Sequence, residues 1–551
     1  MRKVFFTLAA LLCLSSCVRV NLSTKILKSA YSLSEQMKEK SCIYVIRDTF
    51  DLQGNELSIP DDCILEFAGG SINNGTVIFN NTKISGYANF SNCSYKGQFS
   101  NDVVELGWFH FEDGGKFSFT QEVDRKYITI EIPTYDVTKL QQIINCCKSG
   151  AQLNIDKVYG IEKPVTITKK IYLKGYDRSE GIYADRIILN MEYGFNNCGK
   201  INSLFIVEAG GDISVQGLSF VGYTSLYMGG QLWEKCYGNG NPLPAPYALC
   251  GIDVKRGGRI NEVHDSSFVA FTYGIRCDGG SIGYIRNSYF SINRFGFWAK
   301  DTNDFECRGC RFNSNELNFH CHEKNLNYIG PKTDWEPLHE TDADQIAKMG
   351  GGVYLSNCEN VKIINSRFEF NFIQTIIDSS AKNVTVHNCI MDTATLCHIA
   401  VINQGTAAAN SSRTIDNLTF SSCTLARGAR CDIQNEQSVP GFGIFYIADS
   451  GNRGTVINLK NIIVSDDMEV DSSLNSRVHY EKNVFDIYNT SSTNPCVVNL
   501  KGNSFYSSEA ENIFNIISGS SGEFRINDYG NDYGNKNFKS GVSSVLTVVE
   551  K

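Results

Sequence analysis

The chain is predicted to fold as an all-β solenoid of stacked parallel coils. The first observation is a repeat. Phe268, Phe290 and Phe312 lie 22 residues apart, followed three residues on by Phe271, Asn293 and Asn315 and seven on by Ile275, Phe297 and Phe319. A period in the low twenties marks units that bury their apolar face only against their neighbours. The second is composition: 48 Gly, abundant Asn, and short Val, Ile, Phe and Tyr runs, as in strands set between turns. The third is an exclusion, because the chain has no L-x-x-L-x-L series of a leucine-rich horseshoe. A length of 551 residues would otherwise call for several globular domains, but a solenoid grows in one dimension. Net charge is −8, or −10 once Arg2 and Lys3 leave with the N-terminal segment, and no basic cluster stands out in the sequence. This argues against a nucleic-acid partner.

Residues 1–16 join a basic start, a short apolar run and small residues ahead of Cys17. The run is too short to span a membrane. It resembles a bacterial lipoprotein signal with Leu14-Ser15-Ser16-Cys17 as lipobox. That resemblance implies cleavage before Cys17, lipidation of its thiol and stable membrane anchoring. Val18 after the cysteine implies the outer membrane, facing the periplasm or the cell surface. Surface-exported lipoproteins of Bacteroidetes often carry an acidic run at this point, where the chain reads VRVNLSTK.

Residues 17–41 are expected to be a tether without a core, and 42–135 to form N-terminal coils and an irregular excursion. Apolar strokes such as Leu57, Leu65, Ile72, Val77 and Ile84 alternate with Gly, Asn and Asp turn residues. Their texture resembles the opening coils of exported Bacteroidetes proteins with a right-handed parallel β-helix. Residues 136–551 are expected to form the main β-helix. Leu140, Ile143, Ile144 and Cys147 at helical spacing, with Gly150 behind them, predict a short helix over 138–148. Strands around 152–156 and 164–173 follow. A helix followed by such strands resembles the entry to pectate-lyase-like and polygalacturonase-like β-helices, where the helix shields the open end of the core.

Within the main coils, Phe220 to Phe268 is 48 residues and Phe312 to Phe368 is 56. The surplus over one period places two insertions, near 224–250 and near 323–351, and solenoid insertions map to loops, often on the binding side. Beyond Phe368 the phase slips by about one residue. Of the 20 Cys, 18 remain after Cys13 and Cys17. Most read as small buried core residues, and Cys236 with Cys250 is the candidate disulfide.

Alternate strand residues point to opposite faces. With Ile275, Phe297 and Phe319 inward, their neighbours point out. One expected outward row is Asp253, Arg276, Trp298 and His320; a second is Lys255, Asp278, Lys300 and His322. Trp335 in the second insertion lies close by. An aromatic and cationic groove suits an extended acidic polysaccharide. Two chemistries follow. In β-elimination, Lys255 or His320 removes the proton beside a uronate carboxyl and Arg276 neutralises the enolate. In hydrolysis two carboxylates flank the bond, and Asp253 with Asp278, or Asp301 or Asp304, fills those roles. Trp298, Lys300, His322 and Trp335 are the substrate-binding candidates. A non-catalytic glycan-binding or adhesive lipoprotein is the alternative. The chain resembles the pectate-lyase-like superfold over most of its length but carries no N-T-D, G-H-G or R-I-K set. Lys255 and Arg276 on adjacent coils resemble the Lys/Arg pair of chondroitinase-B-like and alginate lyases. The cofactor stays open, with a divalent cation such as calcium the candidate, although no acidic cluster matches a pectate lyase calcium site. Cys307 and Cys310 with His320, Cys321 and His322 have zinc-like ingredients, but Cys321 is expected to point inward and the two histidines outward, which strains a single tetrahedral site.

Overall fold

The computed structural model divides the chain into two compact units, Met1–Phe111 with Lys139–Ala151, and Glu112–Thr138 with Gln152–Lys551. It describes residues 22–551 except 112, 124–125, 137–138, 162, 176–193, 198–202, 223–249, 270, 292, 314, 316–349, 379, 395–396, 404–414, 427–430, 433–442, 450–453, 466–477, 480–482, 491–493, 507–511, 535–536 and 542–544, with the backbone alone at 113–136, 194, 196–197, 431–432, 478–479 and 537–541.

In the first unit, parallel strands stack from Ser23–Ile26 through Cys42–Ile46 and Ile64–Phe67 to the long strands Ser71–Gly86 and Phe90–Phe99. The stretch expected as a tether is therefore structured from residue 22 onward. Ser23–Ile26 pairs with Cys42–Ile46, and Leu27, Leu33 and Met37 are buried. Three apolar side chains in so short a stretch favour joining the core over trailing in water. The expected helix spans Leu140–Cys146 and groups with this unit rather than with the main coils. It packs on Phe90–Phe99, where Gln142 accepts the Tyr95 N–H at 3.0 Å.

The second unit is a right-handed parallel β-helix of three sheets, each coil giving one strand to each. Sheet A has 13 strands, beginning with the antiparallel hairpin Asp113–Val123 and Lys126–Asp136 and ending at Ser504–Phe505. Sheet B has 12, from Val165–Ile167 to Asn537–Gly541. Sheet C runs in this unit from Ala151–Ile155 through Lys170–Gly175 to Leu546–Glu550. One coil illustrates the path: Arg259–His264 in C, Ser267–Val269 in A, Tyr273–Asp278 in B.

The 22-residue repeat appears as a ladder of rings. Phe220, Phe268, Phe290, Phe312 and Phe368 stack with centroids 4.8, 5.2, 5.0 and 4.8 Å apart. Room for it comes from a glycine column, Gly274, Gly296 and Gly352. A Cβ at Gly296 would stand 2.9 Å from Phe312 Cδ1 and 2.7 Å from the Gly352 carbonyl oxygen. Beside the ladder, Asn293, Asn315 and Asn371 form a buried amide stack. Asn293 Nδ2 donates to Asn315 Oδ1 at 3.0 Å and Asn315 Nδ2 to Asn371 Oδ1 at 2.8 Å, each also bonding a carbonyl one coil away. Left-handed backbone recurs at another corner, between sheets C and A. There Asp265, Asn287, Gly309, Asn365, Asn388, Ser422, Asn461 and Gly502 all have φ between 45° and 64°, the conformation Asn and Gly tolerate best. After the first six of these the next residue inward is small, Ser266, Ser288, Cys310, Ser366, Cys389 or Cys423, and after Asn461 and Gly502 it is Ile462 and Asn503, all buried. Cysteine thus alternates with serine in one core column. Cys250 is likewise a buried thiol, and its expected bridge to Cys236 falls partly outside the described residues. Cys250 faces Ser203 on the preceding coil, and Cys236 lies outside the described residues.

Where the phenylalanine column gives way to Met391, the glycine column ends too, and Gln374 and His398 take the equivalent positions. His398 is wholly buried and neither ring nitrogen has a well-formed hydrogen bond among the described residues. Burial pushes its pKa from 6.5 down to about 4, against smaller opposite effects of Asp392 and the Ala426 carbonyl. Below pH 6.5 the unfolded chain takes up a proton that the folded chain refuses, so stability is lost as pH falls toward 4. The loss expected from this group is on the order of 3 kcal/mol. Urea unfolding midpoints measured across this range should fall less in His398→Leu than in the parent chain; parallel curves would contradict the assignment.

Candidate functional site

The outer face of sheet B carries the expected rows, with one change. Strand pairing aligns Asp253 with Arg276, Arg276 with Trp298, and Trp298 with Tyr354. The second row reads Asp278, Lys300, Ser356 and Asp378. Tyr354 and Ser356 therefore hold the places expected for His320 and His322. The chain keeps its period through Asn315, but the next sheet B strand is Gly351–Ser356, reached only after 316–349. The insertion starts one strand earlier than expected. His320, His322 and Trp335 fall within it, outside the described residues. A signal for this was present. Gly274 precedes Ile275, Gly296 precedes Phe297 and Gly352 precedes Val353, whereas Asn318 precedes Phe319.

Asp253 is 2% exposed and both its oxygens are engaged. Arg276 donates from Nε to Oδ1 at 2.9 Å and from Nη2 to Oδ2 at 2.8 Å. Lys255 Nζ lies 2.7 Å from Oδ2. One carboxylate thus holds two cations, leaving the trio at net +1. The cations lie nearer to solvent than the anion, with side chains 36% exposed for Lys255 and 21% for Arg276. Burial works to lower the Arg276 pKa, but the bonds to Asp253 and nearby groups outweigh it and hold the guanidinium above its usual value. Its other neighbour is the Tyr273 ring, 5.7 Å from the guanidinium carbon. Asp278 and Lys300 are exposed beside the trio.

Asp253 and Asp278 are offset by one coil and two residues, about 8 Å between Cα atoms from ordinary strand spacings. That would suit an inverting pair. The engagement of Asp253, not its distance, argues against the role. Asp301 and Asp304 are corner residues with φ of 52° and 58°, accepting amide bonds from Asn357 and Asn360 at 2.5 and 2.8 Å. They knit coils together.

Trp298 is placed differently from a sugar platform. Its ring stacks on Tyr354 at 5.6 Å with planes 2° apart, and meets Tyr273 at 5.7 Å. One face is thus covered by Tyr354, and the ring packs against an outer apolar cluster that includes Phe295, Ile376, Ala400 and Tyr446. Tyr354 donates its hydroxyl to Asp378 Oδ2 at 2.6 Å, a contact the sequence did not suggest. Cys307 and Cys310 are both buried in the core. The Cys310 contact and burial push the Cys307 thiol well above the usual range. Among the described residues, no group of three or more His, Cys, Asp or Glu could hold a metal ion.

No protein-family model and no curated protein matches the chain. Among solved structures, the chain is similar to a DFA-IIIase from Arthrobacter chlorophenolicus A6 without its lid, with a TM-score of 0.44, 10% identity, and coverage of 74% of this chain and 89% of that one. It is also similar to the catalytic unit of a GH87 alpha-1,3-glucanase from Streptomyces thermodiastaticus strain HF3-3, with a TM-score of 0.37, 11% identity and coverage of 75% and 64%. An endo-xylogalacturonan hydrolase from Aspergillus tubingensis gives 0.33, 10%, and 75% and 93%. These likenesses are distant and assign no residue or reaction to this chain.

The Asp253 trio carries a stability expectation. Asp253→Asn leaves Arg276 half-buried without its counter-charge and should cost about 2–4 kcal/mol in urea unfolding, less than a fully buried pair because both cations reach solvent. Replacing Asp253 and Arg276 together by Leu and Met should recover most of that loss. A single variant as stable as the parent would contradict the ion-pair reading.

Proposed function

We propose that the outer face of sheet B around Arg276 and Lys255 binds an acidic polysaccharide and cleaves it by β-elimination. The observation behind this is the buried Asp253 that fixes two cations side by side at the surface with net positive charge. A uronate carboxylate arriving from solvent meets a preorganised guanidinium and ammonium, with Lys300 one coil beyond Asp278 to take the next anionic group. Charge-assisted bonds to a carboxylate are the stronger kind, and preorganised donors lower the cost of an enolate. In the elimination, the carbon beside the carboxyl loses its proton, the bond from the neighbouring carbon to the leaving sugar oxygen breaks, and a double bond forms between those two carbons. Arg276 neutralises the charge developing on the carboxyl. Lys255, as the neutral amine, takes that proton, and the ammonium so formed returns it to the departing sugar oxygen, which leaves with the bonding electron pair.

A binding-only role is the second reading, and the same trio favours it: cations tied to one carboxylate are a fixed grip and need not turn over. For location, we propose attachment to the outer membrane through lipidated Cys17; release of a Cys17→Ala chain into the soluble fraction tests it.

A panel of uronic-acid polysaccharides, read for unsaturated ends by absorbance and for reducing sugar, separates the readings. Elimination gives both signals, and Lys255→Ala or Arg276→Ala should lower the rate at least 100-fold. Binding without either signal would leave the module reading; reducing sugar without unsaturated ends would overturn elimination in favour of hydrolysis.

A further inference from the structure

The outer face of sheet C carries a row that the sequence conceals. Strand pairing sets one residue per coil above the next, from Lys174 through Gln216 to His264, Arg286 and Arg308. The row continues through Ile364 to His387, then Ser421, and ends at Lys460, Lys501 and Tyr529. No carboxylate occupies any of these positions, in a chain whose net charge is −8. Ten steps of strand spacing make a line roughly 48 Å long.

The two ends of the row differ. Toward the N-terminus the cations are matched from the sides. Arg286 lies 3.5 Å from Glu262, Arg308 lies 2.7 Å from Glu306, and His264 contacts Asp265. Toward the C-terminus that compensation stops. The parallel outward row holds Lys362, Thr385, Thr419, Asn458 and Asn499, and the corner residues are Asn365, Asn388, Ser422, Asn461 and Gly502. Lys460 and Lys501 are exposed, directly paired on adjacent coils, and neither forms an ion pair among the described residues. Like charges directly opposite on neighbouring strands are destabilising. Beside them Asn499 Nδ2 donates to Asn458 Oδ1 at 2.9 Å and Asn527 Nδ2 to Asn499 Oδ1 at 2.8 Å, a rigid polar ladder. Lys551 extends the charge, 5.5 Å over the Tyr529 ring.

We infer that this face of sheet C is a second binding surface, for a linear polyanion lying along the coil axis. Arg286 with Arg308, and again Lys460 with Lys501, stand on adjacent coils of one line, and the two lysines, without an ion-pair partner among the described residues and flanked by amides, match charges strung on an extended chain. A membrane surface would ask for a broad patch with apolar insertion. The inference is independent of the site on sheet B and stands or falls separately from it.

The test is binding of the full chain to polygalacturonate and to heparin, with a neutral glucan and anionic phosphatidylglycerol vesicles as comparisons. Lys460→Glu with Lys501→Glu should weaken both polyanions at least tenfold and reduce the salt dependence by about one unit of slope per lysine. Arg276→Ala should leave that salt-dependent component in place. Single Lys460→Glu relieves the like-charge pair, so its melting temperature should not fall while its polyanion binding weakens, which separates lost binding from unfolding even though the double variant again sets like charges opposite each other. Unchanged polyanion binding in the double variant, equal binding of the neutral glucan, or binding to vesicles alone would each overturn the inference.

Discussion

Parallel pairing at about 4.8 Å per coil is the constraint on which everything else in the main unit depends. It leaves no freedom to stagger side chains, so each residue lies over its counterpart and each column must tolerate its own repetition. Rings tolerate it by stacking, as in the phenylalanine ladder. Amides tolerate it by donating one way and accepting the other, as from Asn293 to Asn371. Charges tolerate it only when signs alternate or a partner intervenes. Asp253 over Arg276, and Asp278 over Lys300, meet that condition. Lys460 over Lys501 does not. The same rule that builds the core thus marks the outer positions where something beyond the fold is accommodated.

Much of this was legible in the residues because the core columns are chemically pure. Phe268, Phe290 and Phe312 announce the period, and alternation then fixes which of their neighbours face out. The bonds made by Asn315 follow from an amide's having both a donor and an acceptor, and left-handed asparagines lie instead at corners such as that of Asn287 and Asn365. Counting failed at the insertion. Phe319 keeps the spacing by coincidence, while the glycine that must precede a true inward residue is missing until Gly352. The N-terminal stretch failed for another reason: a strand as short as Ser23–Ile26 has too few residues to show alternation, and its partner lies far along the chain. The row was invisible in principle, since its members are spaced by 22 to 56 residues and become neighbours only through the coils.

The chemistry of sheet B turns on Asp253. Left to spacing alone, it would be half of a carboxylate pair. Buried and shared between Arg276 and Lys255, it becomes the anchor that aims two cations at solvent. This moves the balance from hydrolysis toward carboxylate recognition. Trp298, rather than offering a face to a sugar, closes an apolar patch with Tyr354 and stiffens the strands that hold Arg276 in place. Two cationic surfaces on different sheets of one rigid tube would let one acidic polymer be gripped at a distance from where it is processed.

Disulfide trapping tests the coil register most directly. Adjacent parallel strands bring Cα atoms within the range a disulfide spans, and the native cysteines among the described residues are buried. Mild oxidation of a chain carrying Lys300→Cys with Ser356→Cys should give a bridged peptide by mass spectrometry, and Lys300→Cys with His322→Cys should not. A bridge between positions 300 and 322 in place of 300 and 356 would contradict the register, and with it the arrangement of the outer face.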